Sequence, residues 1–149
     1  MSVSRAEGLR IKQCLQKSSA QFFLTHNYTG YPLIREARDM VANGKLGNIR
    51  VVQAEYAQDW LAEPLETTGQ KQASWRTDPK ATGGGGAIGD IGTHAYNLVH
   101  YVTGLEAQEL ASDLTSYVPG RTVDDNAHIW LRYEGGAKGQ LWISQVAVG

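Results

Sequence analysis

Apolar and polar positions along the chain change period several times, and each change predicts an element. From Ser4 to Lys17 the apolar residues Ala6, Leu9, Ile11 and Leu15 make a loose helical face, and Ser4 with Glu7 three residues later forms a capping box. Gln21 to Tyr28 is short and apolar at its start, which predicts a buried strand ending in polar groups. Thr29-Gly30-Tyr31 turns the chain. Pro32 suits the first turn of a second helix, since it lacks only a donor that would be unpaired anyway. That helix carries Leu33, Ala37, Met40 and Val41 on one side and ends at Asn43-Gly44. Asn48 to Tyr56 alternates as a strand does. The stretch from Gln58 to Gly86 is polar and interrupted by Trp60, Pro64, Trp75 and Pro79, so it reads as a long loop of the kind that tends to be functional.

The stretch from Gly83 to Val102 organises the rest. Four glycines run into a helix with two stripes. Asp90, His94, Asn97 and Tyr101 share one polar stripe, and Ile91, Ala95, Leu98 and Val102 share an apolar one a residue step around. A carboxylate, an imidazole, an amide and a phenol on one stripe are groups able to handle protons and hydroxyls. The glycines let backbone approach either a ligand or a neighbouring element. A solvated Asp–His pair and a simple cap at Asp90 are the plainer alternatives.

Beyond the helix, Glu109 to Val118 predicts a strand with Leu110, Leu114 and Val118 on one face. Asn126 to Tyr133 and Gln140 to Val148 predict a hairpin around Glu134-Gly135-Gly136. Its first strand puts Ala127, Ile129, Leu131 and Tyr133 on one face and His128, Trp130 and Arg132 on the other. Its second is apolar on both faces and calls for cover on both, so an uncovered sheet and self-association are expected.

Composition narrows the class. The 149 residues suffice for one ordinary domain, and 42% hydrophobic with 19% charged residues is a globular composition. With net charge −1 and no basic cluster, nothing argues for nucleic acid. The single cysteine, Cys14, excludes an internal disulfide framework, and no metal site is expected. No apolar run approaches membrane-spanning length, and a cytoplasmic location is the default.

Gly84-Gly85-Gly86 through Asp90-Ile91-Gly92-Thr93-His94 resembles the G-G-G-x-x-x-D-x-G-x-H motif of the glucose–fructose oxidoreductase, inositol dehydrogenase and rhizopine-catabolism (Gfo/Idh/MocA) family. Other stretches agree in order: Thr25 to Pro32, Asn43 to Ile49, Trp75-Arg76-Thr77-Asp78-Pro79, Val123 to Ala127 and Gly139 to Trp142. The resemblance implies an α+β domain, a mostly antiparallel open sheet with helices on one face. It implies oxidation or reduction of sugars and polyols with NAD or NADP, and pairing of subunits through the open sheet face. By the match, Asp90 and His94 are the catalytic pair. Asn27, Tyr28, Trp75, Arg76 and Asn97 are substrate-binding candidates, Asn97 standing where many members carry Asp.

The departures shape the functional expectation. The chain has no G-x-G-x-x-G between a strand and a helix and no Glu-Lys-Pro before its first helix. No cofactor-binding residue is therefore assigned. Residues 1–30 are expected to be the last helix and strand of a Rossmann domain, and residues 31–149 a partial substrate and oligomerisation domain. Residues 4–28 are expected either to exchange between subunits or to pack on the central sheet. The chain then reads as the substrate-binding portion of an NAD(P)-dependent oxidoreductase, inactive alone. The alternative is a stand-alone oligomeric module, from a shortened gene, that binds a small molecule without redox activity.

Overall fold

The computed structural model describes residues 2–148. Helix α1 (Arg5–Gln16) starts at Ser4, whose hydroxyl accepts the Glu7 amide, as the capping box requires. Helix α2 (Pro32–Ala42) has proline in its first turn and ends where Gly44 turns left-handed at φ +70°. Strand β1 spans Val51–Ala57. Two short helices follow, α3 (Lys71–Arg76) and α4 (Pro79–Thr82), the latter capped by the Asp78 carboxylate. A π-helical turn at Ile88–Gly92 leads into α5 (Thr93–Thr103). Strands β2 (Ala107–Thr115), β3 (Asn126–Tyr133) and β4 (Lys138–Ser144) complete the chain.

The sheet order is β1-β4-β3-β2, with β1 parallel to β4 and the other two pairings antiparallel. This is the α+β, mostly antiparallel sheet that the sequence predicts. One face carries the core. Ala87, Ile91, Ala95 and Val99, four residues apart, lie against Ala127, Ile129, Leu131, Leu141 and Ile143. Val99 is buried where the sequence reading had Leu98 and Val102, which stay half-buried. The other face is open. Val51 is 73% and Trp130 58% exposed, and His128 stacks on Trp142 across the β3–β4 pair at 6.3 Å.

Two expectations need correction. Gln21–Tyr28 is not a strand: residues 18–26 are irregular and Asn27–Gly30 is a single 3₁₀ turn. The segment has no neighbouring strand among the described residues to pair its backbone, so Phe22, Phe23 and Leu24 lie exposed. Of residues 4–28, the end meets the sheet and its helix: Tyr28 bonds and stacks on Tyr56 of β1, and His26 packs on His94. Helix α1 has no buried residue, and its approach to the rest is at Gly83, where a Cβ would sit 2.0 Å from the Val3 carbonyl oxygen. Residues 58–86 are not a plain loop but hold α3, α4 and a 3₁₀ turn at Leu65–Thr68. Arg121 anchors this segment. Its fully buried guanidinium pairs both Glu66 oxygens at 2.9 Å, donates to the Leu61 and Glu63 carbonyls, and reaches Asp125 at 3.1 Å.

Candidate functional site

The glycine-rich approach to α5 is built around Asp124. Its two carboxylate oxygens accept the Gly86 and Ile88 amides, each at 2.7 Å, and its carbonyl accepts the Ala87 amide at 2.8 Å. A Cβ at Gly86 would lie 2.0 Å from the Asp124 carbonyl oxygen, so only glycine fits. The element that the glycines let in is thus the β2–β3 connection. Three consecutive amides at this helix start are already satisfied, with a carboxylate where the helix dipole favours one.

One turn further on, the helix surface opens into a cleft. A cavity of about 450 Å³ is lined by Asp90 and His94 from the helix, Tyr56 and Gln58 from the end of β1, Trp60 beyond it, and Gln70, Gln72 and Arg76 from α3 and its cap. Asp90 Oδ2 accepts two donors, Arg76 Nε at 3.0 Å and Gln145 Nε2 at 2.8 Å. Arg76 is held in turn between aromatic rings, 4.2 Å from the centre of Trp75 and 5.8 Å from that of Trp60, and its Nη1 bonds Gln72 Oε1. His94 sits in an aromatic nest. The rings of His26, Tyr28 and Tyr56 meet it edge-on at 5.4, 5.3 and 6.4 Å.

The electrostatics separate the roles these groups can take. The Tyr28 and Tyr56 hydroxyls bond each other, and burial followed by that bond pushes the Tyr56 phenol up to about 12. Tyr56 therefore stays protonated and serves as a hydroxyl. Burial, and then the neighbouring His94, lower the His26 imidazole below 6.5, which keeps it neutral at pH 7. His26 Nδ1 and His94 Nδ1 are both buried and without a partner among the described residues. Both atoms are shielded from solvent, and of the two rings His94 is the one that lines the cleft, where the rest of its edge can meet a ligand.

Of the candidates from sequence, the structure brings Asp90, His94, Arg76 and Tyr28 together. Trp75 stands behind, stacked on Arg76 and 44% exposed. Asn97 lines a separate depression with Arg38 and Tyr101, because α2 packs along the far half of α5 and covers that end of the polar stripe. Asn27 is exposed in its 3₁₀ turn and does not line the cleft. Sequence reasoning missed Tyr56, Gln58, Trp60, Gln70, Gln72 and Gln145. Tyr56 was visible only as a phenol at the end of an alternating strand. Gln145 gave no signal, because its place beside Asp90 depends on where β4 ends. No cluster of three or more His, Cys, Asp or Glu among the described residues could hold a metal.

The open, mostly antiparallel four-stranded sheet with helices on one face is the architecture of a known domain family. The GFO/IDH/MocA C-terminal domain matches residues 34–149, and the chain belongs to that family. It is 32% identical over 97% of its length to the uncharacterized oxidoreductase YfiI of Bacillus subtilis. Among solved structures, an oxidoreductase from Sinorhizobium meliloti is 48% identical over 97% of the chain, TM-score 0.79. The inositol dehydrogenase homolog from Azotobacter vinelandii, complexed with NADH and myo-inositol, is 33% identical over 99% of the chain, TM-score 0.80. The chain spans only 36–37% of the length of these three proteins. No helix among the described residues is long and apolar enough to cross a membrane.

Family neighbours bind NAD in their structures. The glycine run that would be its natural cradle has its Gly86, Ala87 and Ile88 amides taken by Asp124.

Proposed function

We propose that these 149 residues form the substrate-binding and oligomerisation portion of an NAD(P)-dependent oxidoreductase acting on a sugar or inositol-like polyol. The hydride acceptor would be held by a domain outside this chain. The observation that carries the reading is the His94 imidazole set beside Asp90 in the wall of a cleft large enough for one pyranose- or cyclitol-sized ring. In this reading His94 accepts the proton of the hydroxyl whose carbon is oxidised, and imidazole has the right range for that at neutral pH. Asp90, paired with Arg76 through Oδ2, accepts a hydroxyl hydrogen through Oδ1 and fixes the ring's orientation. Tyr56, protonated throughout, is a neutral hydrogen-bonding partner. Subunits would pair through the open face that bears Trp130.

The test is to join the chain to the dinucleotide-binding domain of a family member and assay polyol oxidation. His94→Ala should lower kcat/KM by about 100-fold or more, the loss expected for a general base. Activity unchanged by this substitution would refute the assignment. Titrated with NADH, the chain alone should show no dissociation constant tighter than about 100 μM.

A further inference from the structure

We infer that Gln145 is a positioning residue: it holds the Asp90 carboxylate from behind the cleft wall, and the buried Arg121 hub fixes it there. The inference rests on the reading of Asp90 as a ligand-facing group and adds the residues that aim it. Gln145 does not line the cavity and is only 2% exposed, so it acts on a ligand through Asp90. Its Nε2 donates to Asp90 Oδ2 at 2.8 Å, the oxygen that also accepts Arg76 Nε at 3.0 Å. With both donors on one oxygen, Oδ1 is left as the acceptor for a ligand. Arg76 supplies the charge, and the neutral amide of Gln145 adds direction without a second cation.

Gln145 stands one residue beyond β4, past the last ladder pairs that hold the strand. Two other bonds take over. Its amide donates to the Asp125 carbonyl at 2.8 Å, and its carbonyl accepts the Leu61 amide at 3.0 Å. Both partners are tied to one atom: Arg121 Nη1 donates to the Leu61 carbonyl at 2.9 Å and to Asp125 Oδ2 at 3.1 Å. The Asp125 carboxylate also accepts the Tyr117 and Val118 amides, at 2.9 and 3.1 Å. The acceptor side hangs from the same turn. Asp124 clamps the Gly86 and Ile88 amides, and the Asp90 amide donates back to the Gly86 carbonyl at 3.0 Å. Donor and acceptor of the Gln145–Asp90 bond are thus both referenced to consecutive residues, Asp124 and Asp125. Their separation is set by a buried frame rather than by the lining of the cleft, which is how a side chain is held ready before its ligand arrives.

The test follows the Asp90 carboxyl carbon by NMR in the labelled 149-residue chain, with and without myo-inositol as the probe. Gln145→Met keeps the volume and removes the donor. It should move the Asp90 resonance and weaken myo-inositol binding by about 10-fold, the loss expected with a hydrogen bond to a charged group, while the Gly86–Ile88 amide shifts stay unchanged. Arg121→Lys cannot serve Leu61, Asp125 and Glu66 together, and should move the Asp90 resonance in the same direction. Where that variant does not fold, Gln145→Met decides alone. Glu66→Gln is the control for stability: it weakens the hub but leaves both bonds of Arg121 Nη1, so it should lower the urea midpoint without moving Asp90. An Asp90 resonance or a myo-inositol affinity unmoved by Gln145→Met overturns the positioning role, as does an Asp90 resonance moved equally by Glu66→Gln. Absence of myo-inositol binding in the unaltered chain overturns the polyol reading, and the Asp90 resonance still decides the role of Gln145.

Discussion

Two aspartates that face the same helix make the instructive comparison. Asp124 spends both carboxylate oxygens on backbone amides and its carbonyl on a third, tying down three consecutive amides at the start of the helix. Asp90, one turn along, gives a single oxygen to Arg76 and Gln145 and keeps the other. The first arrangement leaves nothing for a ligand, so it is architecture. The second leaves an oxygen beside a cavity that His94 also lines. A glycine-rich run followed by Asp and His contains both, and only the bonding separates them.

Substitutions sharpen that contrast. Arg121→Ala should have the largest effect on stability, about 3–5 kcal/mol, because it leaves the buried Asp125 and the half-buried Glu66 without their cation. Asp124→Ala should cost about 2–4 kcal/mol by orphaning the amides that its carboxylate now satisfies. Urea midpoints measure both. Asp90→Asn, at a quarter-exposed ion pair, should change stability by less than about 1 kcal/mol while altering ligand preference. Equal destabilisation by the two aspartate substitutions would break the comparison.

A pH titration of stability separates the structural ion pairs from the site. Hydrogen bonding to Arg121 holds the Glu66 carboxyl below its usual 4.5, against the opposing effect of burial. A depressed carboxyl contributes stability that is present above 4.5 and is lost as pH falls through the folded value. Glu66→Gln should flatten the acid limb of a melting-temperature profile in that window. The His26 imidazole, lowered from 6.5 by burial, binds its proton more weakly when folded, so folding stability should also decline as pH falls below 6.5. His26→Phe should remove that second, smaller component. Smallest of all, Phe23→Ser should alter the stability of the isolated chain by no more than about 0.5 kcal/mol, since the ring is 82% exposed.

The sheet was legible because its strands alternate. Ile129, Leu131 and Tyr133 fall on the buried face, with Trp130 and Arg132 outside, as period two demands. The helix was legible as well, with Ile91 and Ala95 buried, but not its register beyond them. The polar stripe holds through Asp90 and His94, then passes under α2, so Asn97 ends in a different depression. Gln21–Tyr28 misled because an apolar run says that a segment wants burial and says nothing of whether a partner stands beside it. The third wall of the cleft, α3 and its Gln70 cap, was hidden in a polar stretch whose helices are too short to show a period. The Arg121 hub joins residues 55–60 positions apart, a separation that no local pattern carries.

On the proposed reading, the Asp90–His94 side of this helix binds a polyol while the Asp124 side only builds the fold. The most direct measurement is a titration of the isotopically labelled chain with myo-inositol, following the histidine ring and backbone amide resonances by NMR. Saturable shifts are expected at His94, His26 and the Arg76 side chain, with the Gly86–Ile88 amides protected from hydrogen exchange throughout. Shifts confined to the open sheet face around Trp130, or no shifts at all, would contradict it.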